Sequence, residues 1–498
     1  MRGWTGGTAP IRLRAAAGAQ QGPCHPQPEK PVSLDLLEAR LRQDLAMLNL
    51  PSANWVPPRP DGALDVLVLG GGMLGLSASF ALQRLGIARH RVLEAAPAGQ
   101  EGPWVTYARM LTLRSPKHLV GPAQDLPSLT FRAWHTAQHG EAGWEALGKI
   151  PRAMWMDYLV WLRRVLALPV TNGITATRIR PGRDGVVAVQ TDREGLILTR
   201  RLVLATGRDG LGGPRLPDWM PARQGPRIRH SKDPIDFAAL AGQVVAVVGA
   251  SASAVDNAAT ALEHGAAEVH LLVRRAALPV LNRFKSMVHA GFTHGMPGLD
   301  DATRLAILMA AFEGSVAPPR ESLLRLAAHP GFRLHLATPV LGVAEEAAGV
   351  TLTLPGGPMR VAMLILGTGF AIDLSRRPEL ADLAPHVRLW ADAVEVPGGL
   401  GEFATYPYLG PGFEFQPRGG ARTGWVGRVH AFNISAIASL GLISGDIPGV
   451  GDGARRLAES IARSLFVEDA AHHLAAVRGY SDRELLGDEI PPAALVGG

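Results

Sequence analysis

Residues 65–94 read DVLVLGGGMLGLSASFALQRLGIARHRVLE, and this stretch decides the fold. Asp65 to Leu69 is a short apolar, β-type run that ends at Gly70; an Ala/Leu-rich helical segment follows, then a second strand closing on Glu94. Gly70, Gly72 and Gly75 fit G-x-G-x-x-G. In that pattern glycine lets the turn form, lets backbone approach a pyrophosphate, and lets the helix pack on the strand. The phosphates then sit at a helix N-terminus. Glu94 lies 24 positions after Gly70, where a carboxylate takes both hydroxyls of an adenosine ribose. A glycine turn alone also occurs in ordinary α/β proteins; strand, spacing and terminal acid together select an ADP-shaped ligand.

With 498 residues, 47% hydrophobic and 19% charged, the chain can bury large cores and divides by length into about three domain-sized units, or two interleaved ones. The formal charge is +6, but 45 Arg and 5 Lys are scattered rather than clustered, which argues against a nucleic-acid patch. Cys24 is the only cysteine, which excludes a Cys-x-x-Cys redox pair and a cysteine metal cluster. No apolar run approaches the roughly 20 residues that span a bilayer, so no membrane partner and a cytoplasmic location are expected. Residues 1–30, with Arg2, Arg12 and Arg14 and no acid before Glu29, read as a disordered N-terminal extension. Ser33 then caps a helix whose Leu34, Leu37, Leu41, Leu45 and Leu48 share one face.

Residues 31–240 form the first part of the first nucleotide domain on this reading. After Glu94 comes GPWVTYARMLTLRSPKHLVGP, with Trp104, Tyr107, Arg109, Arg114 and Lys117. It is either a surface loop around a packed Trp or the place where the chain folds over a cofactor's reactive ring. The segment PRAMWMDYLVWLRRVLALPV is a helix whose Met154, Tyr158, Trp161, Leu162 and Val165 form a core stripe. Asp157 is a surface charge or a polar anchor. Strands follow, with turns at 183–185 and 193–195, and end in LVLATG, where Thr206 and Gly207 bring small residues and bare backbone close to a ligand.

A second βαβ unit begins at QVVAVVG and continues GASASAVDNAATALEHGAAEVHLLVRR. Its turn is Gly249-x-Ser251-x-x-Ala254, with Ser253 inside it. Serine offers a hydroxyl to phosphate, and alanine is an accepted packing variant at the third position. Arg274 and Arg275 end the strand 25 and 26 positions after Gly249, where the first unit has its acid. Two guanidiniums there suit a 2′-phosphate, unless they are a solvated pair on an edge strand. The first site therefore suits FAD and the second NADPH. Residues 241–345 are assigned to an inserted NADPH-binding domain with a variable substrate-side segment, and 346–498 to the returning part of the FAD-binding domain and the C-terminal segment. The strand end LILGTGF, carrying Thr368 and Gly369, echoes LVLATG. The expected fold class is α/β, with two nested Rossmann-like dinucleotide-binding domains, the FAD domain interrupted by the NADPH domain. Further on, His430 and Asn433 precede a helix of small residues that would point its N-terminus at a ring or phosphate.

Together these residues resemble the class B flavoprotein monooxygenases, the group of flavin-containing, Baeyer–Villiger and N-hydroxylating ornithine/lysine monooxygenases, over roughly Val66 to Leu440. MLTLRSP, LPSLTFRAW and PRAMWMDYLVW are closest in pattern to the N-hydroxylating branch, and Arg229-His230-Ser231 resembles that group's His-Ser linker. A Baeyer–Villiger signature wants glycine four before the His and an aromatic four after; Pro226 and Pro234 stand there instead. The resemblance implies that NADPH reduces FAD, that reduced flavin captures O2 as a peroxide adduct, and that one oxygen atom passes to a small organic substrate, at nitrogen or sulfur rather than a ketone. Arg114 and Lys117 are candidates for cationic support of that chemistry, and His230 is either functional or a linker residue. Partners are a small molecule and O2, and a homo-oligomer is compatible with the sequence. A flavoprotein oxidase or reductase that oxygenates nothing, and a nucleotide-binding flavoprotein without catalysis, are the alternatives; a disulfide reductase lacks its cysteine pair.

Overall fold

The strand Leu196–Leu204 is the hub of the first sheet. In the computed structural model, which describes residues 33–419, 423–486, 488–490 and 494, it runs parallel to Leu64–Leu69 on one side. On the other side its first half pairs with Val187–Thr191 and its second half with Val429–His430. Beyond Leu64–Leu69 lie His90–Glu94 and Val170–Asn172, both parallel, and beyond Val187–Thr191 lies Ala176–Pro181, antiparallel. Val66, Leu67, Val68, Leu202 and Val203 are fully buried, as near-continuous apolar runs in a sheet covered on both faces should be. The expected extension over residues 1–30, with Cys24, lies outside the described residues.

A second, wholly parallel sheet has the order Phe332–His335, Glu268–Leu272, Val244–Val248, Met363–Leu366, Ile228–His230. Helices Ala252–Glu263 and Arg320–Ala327 cover one face. The antiparallel strands Gly342–Glu346, Gly349–Leu354 and Gly357–Val361 cover the other, through Val350, Leu352 and Val361 against Ala246 and Leu364. Two boundaries therefore differ from the expected ones. The second unit's sheet extends from residue 228 to 366 rather than 241 to 345, because the hairpin over 349–361 buries its apolar face on this sheet and Met363–Leu366 completes it. Conversely, the stretch around Met296, Leu305 and Leu308 leaves the second sheet and packs into the first unit's core. A two-stranded ribbon, Gly212–Pro214 with Phe370–Ile372, joins the units.

The N-terminal helix Leu34–Met47 forms with Ser33 accepting from the Leu36 amide and with Leu37 and Leu41 buried and Leu34 and Leu45 half-buried; Leu48, expected on the same face, follows the helix as its C-cap and is exposed. In Arg152–Val165, Trp155, Tyr158 and Trp161 are core residues, and Asp157 is an exposed helix charge. No helix among the described residues is long and apolar enough to cross a membrane.

The long helix Val450–Glu468 packs on Met73–Arg84, the helix of the glycine turn. Its end is tied to the hub strand by charge. Arg200, 1% exposed, donates to both Asp469 oxygens at 2.8 and 2.9 Å and reaches Glu468 at 3.1 Å; Arg201 donates to Glu468 at 3.1 Å. Removing one partner of a buried pair costs about 3–5 kcal/mol. Since Asp469 and Glu468 keep 16% and 22% side-chain exposure, Arg200→Ala is expected to lower stability by about 3 kcal/mol, the bottom of that range; a denaturation series on the purified variant measures it.

Candidate cofactor and substrate cleft

The first turn is shaped by what its glycines cannot carry. Gly70 has φ +107°, and a Cβ there would lie 2.4 Å from the Ala205 carbonyl oxygen; at Gly75 it would lie 1.8 Å from the Gly70 oxygen. These two glycines close the strand and helix against each other and against the end of the hub strand. Gly72 differs: its φ is −73°, and a Cβ would meet only Gly102, at 3.9 Å. The helix Met73–Arg84 starts there without a side-chain cap, which leaves its first amides without a side-chain acceptor, as a phosphate-binding helix end requires. Glu94 accepts from Gly71 N at 2.7 Å and Ala96 N at 2.8 Å, which fixes its carboxylate beside the turn.

Thr206 and Gly207 follow the hub strand at the same edge. The Thr206 hydroxyl is buried without a hydrogen-bond partner, and Gly207 has φ +80°. Asn433 stitches the returning chain to this edge, donating to the Leu204 carbonyl at 2.9 Å while accepting from Ser435 N. The helix after it, Ile437–Leu440, is only four residues long. His430, fully buried and donating to Gly412 O through Nδ1 at 2.7 Å, has its pKa pushed down to about 4 by burial. It is therefore neutral across the physiological range. Trp104 packs edge-on to Trp155 and lies beside Gly102, close to the turn. These features fit an FAD-type ADP moiety: an open bare-backbone turn, uncapped helix amides, a fixed carboxylate and an unpartnered buried hydroxyl.

The second turn is built the same way. Gly249 has φ +136°, and a Cβ there would lie 2.6 Å from the Gly367 oxygen. Ala254 is tolerated because position 367 is glycine, where a Cβ would come within 2.5 Å of the Ala254 methyl. Ser251 starts its helix without capping it and is exposed, Ser253 is half-buried, and Arg274 is exposed at the end of the neighbouring strand. Arg275 is half-buried and donates to Gly314 O at 2.5 Å. Arg274 has no hydrogen-bond or ionic partner among the described residues. This donor set fits a dinucleotide with an extra phosphate.

Four expected site residues serve the scaffold. Lys117 donates to the carbonyls of Trp144 and Leu147 at 2.5 and 2.6 Å and lies over the Trp144 ring. It caps the negative end of helix Phe131–Ala146, so its charge is already committed. His230 is buried; its Nε2 donates to Gly369 O at 2.9 Å and its Nδ1 accepts from Lys232 N at 3.2 Å. With both ring nitrogens held by backbone, it fastens the linker and is no free acid or base. Thr368 donates to Arg215 O, and Gly369 receives the His230 bond, so both brace the ribbon between the units.

Arg114 is the exception. Its guanidinium is exposed yet lies among enough protein that burial, with Arg208 adding to it, lowers its pKa against the opposing pull of Asp256 and Asp446. That combination describes a cation in a deep cleft. Neither Arg114 nor Arg208 forms an ion pair among the described residues. Arg208, Gly367 and Asp446 escaped the sequence reading. Gly367 occupies the position equivalent to Ala205 in the repeated strand end, which could have marked it, and Arg208 directly follows Gly207; nothing local marks Asp446.

Residues 67–290 match the pyridine nucleotide-disulphide oxidoreductase family, although that stretch contains no cysteine. Among solved structures, reduced ornithine hydroxylase from Pseudomonas aeruginosa is 18% identical, with TM-score 0.64 over 81% of this chain and all of that one. L-Lysine 6-monooxygenase from Pseudomonas syringae is 21% identical, with TM-score 0.64 over 80% of this chain and 99% of that one. These likenesses establish the two-dinucleotide flavoprotein fold. A FAD-dependent urate hydroxylase of Xanthomonas campestris pv. campestris is 41% identical over 472 residues, covering 93% of this chain and all of the relative. The chain belongs to the family of that FAD-dependent hydroxylase.

The two kinds of glycine separate experimentally. Gly75→Ala is expected to yield little folded protein, since its methyl would meet backbone at 1.8 Å. Gly72→Ala should keep the wild-type melting temperature and lose FAD affinity at least tenfold, read by flavin fluorescence titration of the apoprotein. Lys117→Met should cost about 1–2 kcal/mol of stability, the scale of a helix-end charge in a favourable geometry, without changing oxygenation per NADPH consumed.

Proposed function

We propose that this chain is an NADPH-consuming FAD monooxygenase that hydroxylates a small, planar, anionic heterocycle, with urate as the substrate. The observation that carries this reading is the 41% identity over the whole length of a urate hydroxylase. Arg114 and Arg208, free of carboxylate partners among the described residues, add the positive potential that an anionic substrate needs. Oxygenation at the nitrogen or sulfur of an amine or sulfide is the second reading. It is favoured by the fold shared with ornithine and lysine hydroxylases, at 18% and 21% identity.

FAD, once bound, supplies the activation of O2. The chain's own contributions are distinct. The turn at Gly70–Gly75 and Glu94 hold the ADP half of FAD, and Gly249, Ser251 and Ser253 hold that of NADPH. Arg274 takes the 2′-phosphate, with Arg275 behind it. Trp104 and the half-buried Thr206–Gly207 edge narrow the cleft and keep water out, which limits loss of activated oxygen as peroxide.

Urate, NADPH and O2 are expected to disappear in equal amounts when followed together by absorbance and oxygen electrode. Stoichiometric peroxide with intact urate would instead identify an oxidase. Losing one charge-assisted contact costs about 1.5–3 kcal/mol, so Arg274→Ala should raise the KM for NADPH roughly 10- to 100-fold and leave that for NADH unchanged. Equal use of both nucleotides by the wild type would remove the phosphate assignment.

A further inference from the structure

A cavity of about 230 Å³ lies between two distant parts of the chain. Val288, His289, Phe292 and Thr293 form one wall, Leu442, Ile443 and Asp446 the other, and Leu119 closes an end. The first wall belongs to the stretch that leaves the second sheet. It is anchored to the first unit by Met296 in the core, by Arg456 donating to Thr293 O at 2.9 Å, and by Arg304 donating to Ser439 O at 3.2 Å. The second wall follows Asn433, whose amide holds the hub-strand end at Leu204. Ser444 donates back to Asn433 O at 2.8 Å, so this wall is fixed to the sheet edge that carries Thr206.

The lining is mostly apolar, with the Asp446 carboxylate and the His289 ring among its polar groups. Asp446 accepts only from the amide of Ile447, through Oδ1 at 2.9 Å, and forms no ion pair among the described residues. Asp452, also in the lining, is drawn aside to Arg455 at 3.6 Å. A cavity of about 150 Å³ accommodates benzene, so the volume here matches a fused bicyclic ring and is too small for an extended, branched substrate.

We propose that this cavity is the substrate pocket, that its apolar walls hold a planar bicyclic heterocycle, and that the Asp446 carboxylate accepts hydrogen bonds from ring N–H groups. Asp446 in turn pulls on the Arg114 guanidinium, opposing the effect of burial there. A ring bearing both N–H donors and delocalised negative charge satisfies the two together, and urate has both. A heterocycle without N–H would leave a desolvated carboxylate facing it, which is strongly unfavourable. Asp446 is thus a specificity-determining residue, and this assignment rests on the proposed urate reading.

The test is direct binding of urate to the FAD-loaded enzyme by calorimetry, with NADPH KM measured alongside. Asp446→Asn keeps the shape and removes one charged acceptor; it should weaken urate binding roughly 10- to 100-fold and leave the NADPH KM unchanged. Val288→Trp, which fills the cavity from a wall residue that is 43% exposed, should abolish urate binding at wild-type flavin content and melting temperature. If the wild type hydroxylates urate and both variants still bind it as tightly, the cavity assignment is wrong and the proposed function stands. If the wild type neither binds nor hydroxylates urate, both fall.

Discussion

Each nucleotide turn depends on one close contact: a glycine in a left-handed conformation lying against the backbone at the end of the neighbouring strand. Gly70 lies against Ala205 and Gly249 against Gly367, with room in neither case for a side chain. The two units accommodate a single methyl differently. The first has alanine at the strand end and glycine at 75; the second has glycine at 367 and alanine at 254. Alanine in place of the third glycine of the second turn is therefore compensated by a glycine more than a hundred residues later, so that the helix sits close to its strand with its N-terminus uncapped.

That contact needs the hub strand to stay in place, and the C-terminal third of the chain holds it there. Val429–His430 extends the sheet along the strand's second half, Asn433 binds its last carbonyl, and Arg200 and Arg201 tie its middle to Glu468 and Asp469. The same returning chain forms a wall of the cavity. Cofactor edge and pocket wall are thus parts of one continuous piece of structure.

The fold was legible because the information is local. Strand, glycine turn, helix and terminal charged residue occupy about thirty consecutive positions in each unit, and each step has a physical requirement that only a few residue types meet. The aromatic helix was likewise readable as core from the spacing of Tyr158 and Trp161. The charged residues of the cleft were not readable in this way. Lys117 and Arg114 are three positions apart in the same loop, yet one caps a helix and the other stands unpaired; only the position of Trp144 and Leu147 separates them. His230 was open to two readings until its ring nitrogens were seen to be held by Gly369 and Lys232.

What the sequence alone determined is the pair of nucleotide-binding units, their order, and the contrast between Glu94 and Arg274 at the two strand ends. Periodicity and short-range stereochemistry suffice for those. What the tertiary structure decided is which segment belongs to which core: the hairpin over 349–361 went to the second sheet, while Met296, Leu305 and Leu308 went to the first unit. Apolar residues are equally content in either core as far as composition goes, and only the shape of the available surface chooses between them. The cavity exists because of that choice, since its walls come from chain segments whose meeting no local pattern encodes.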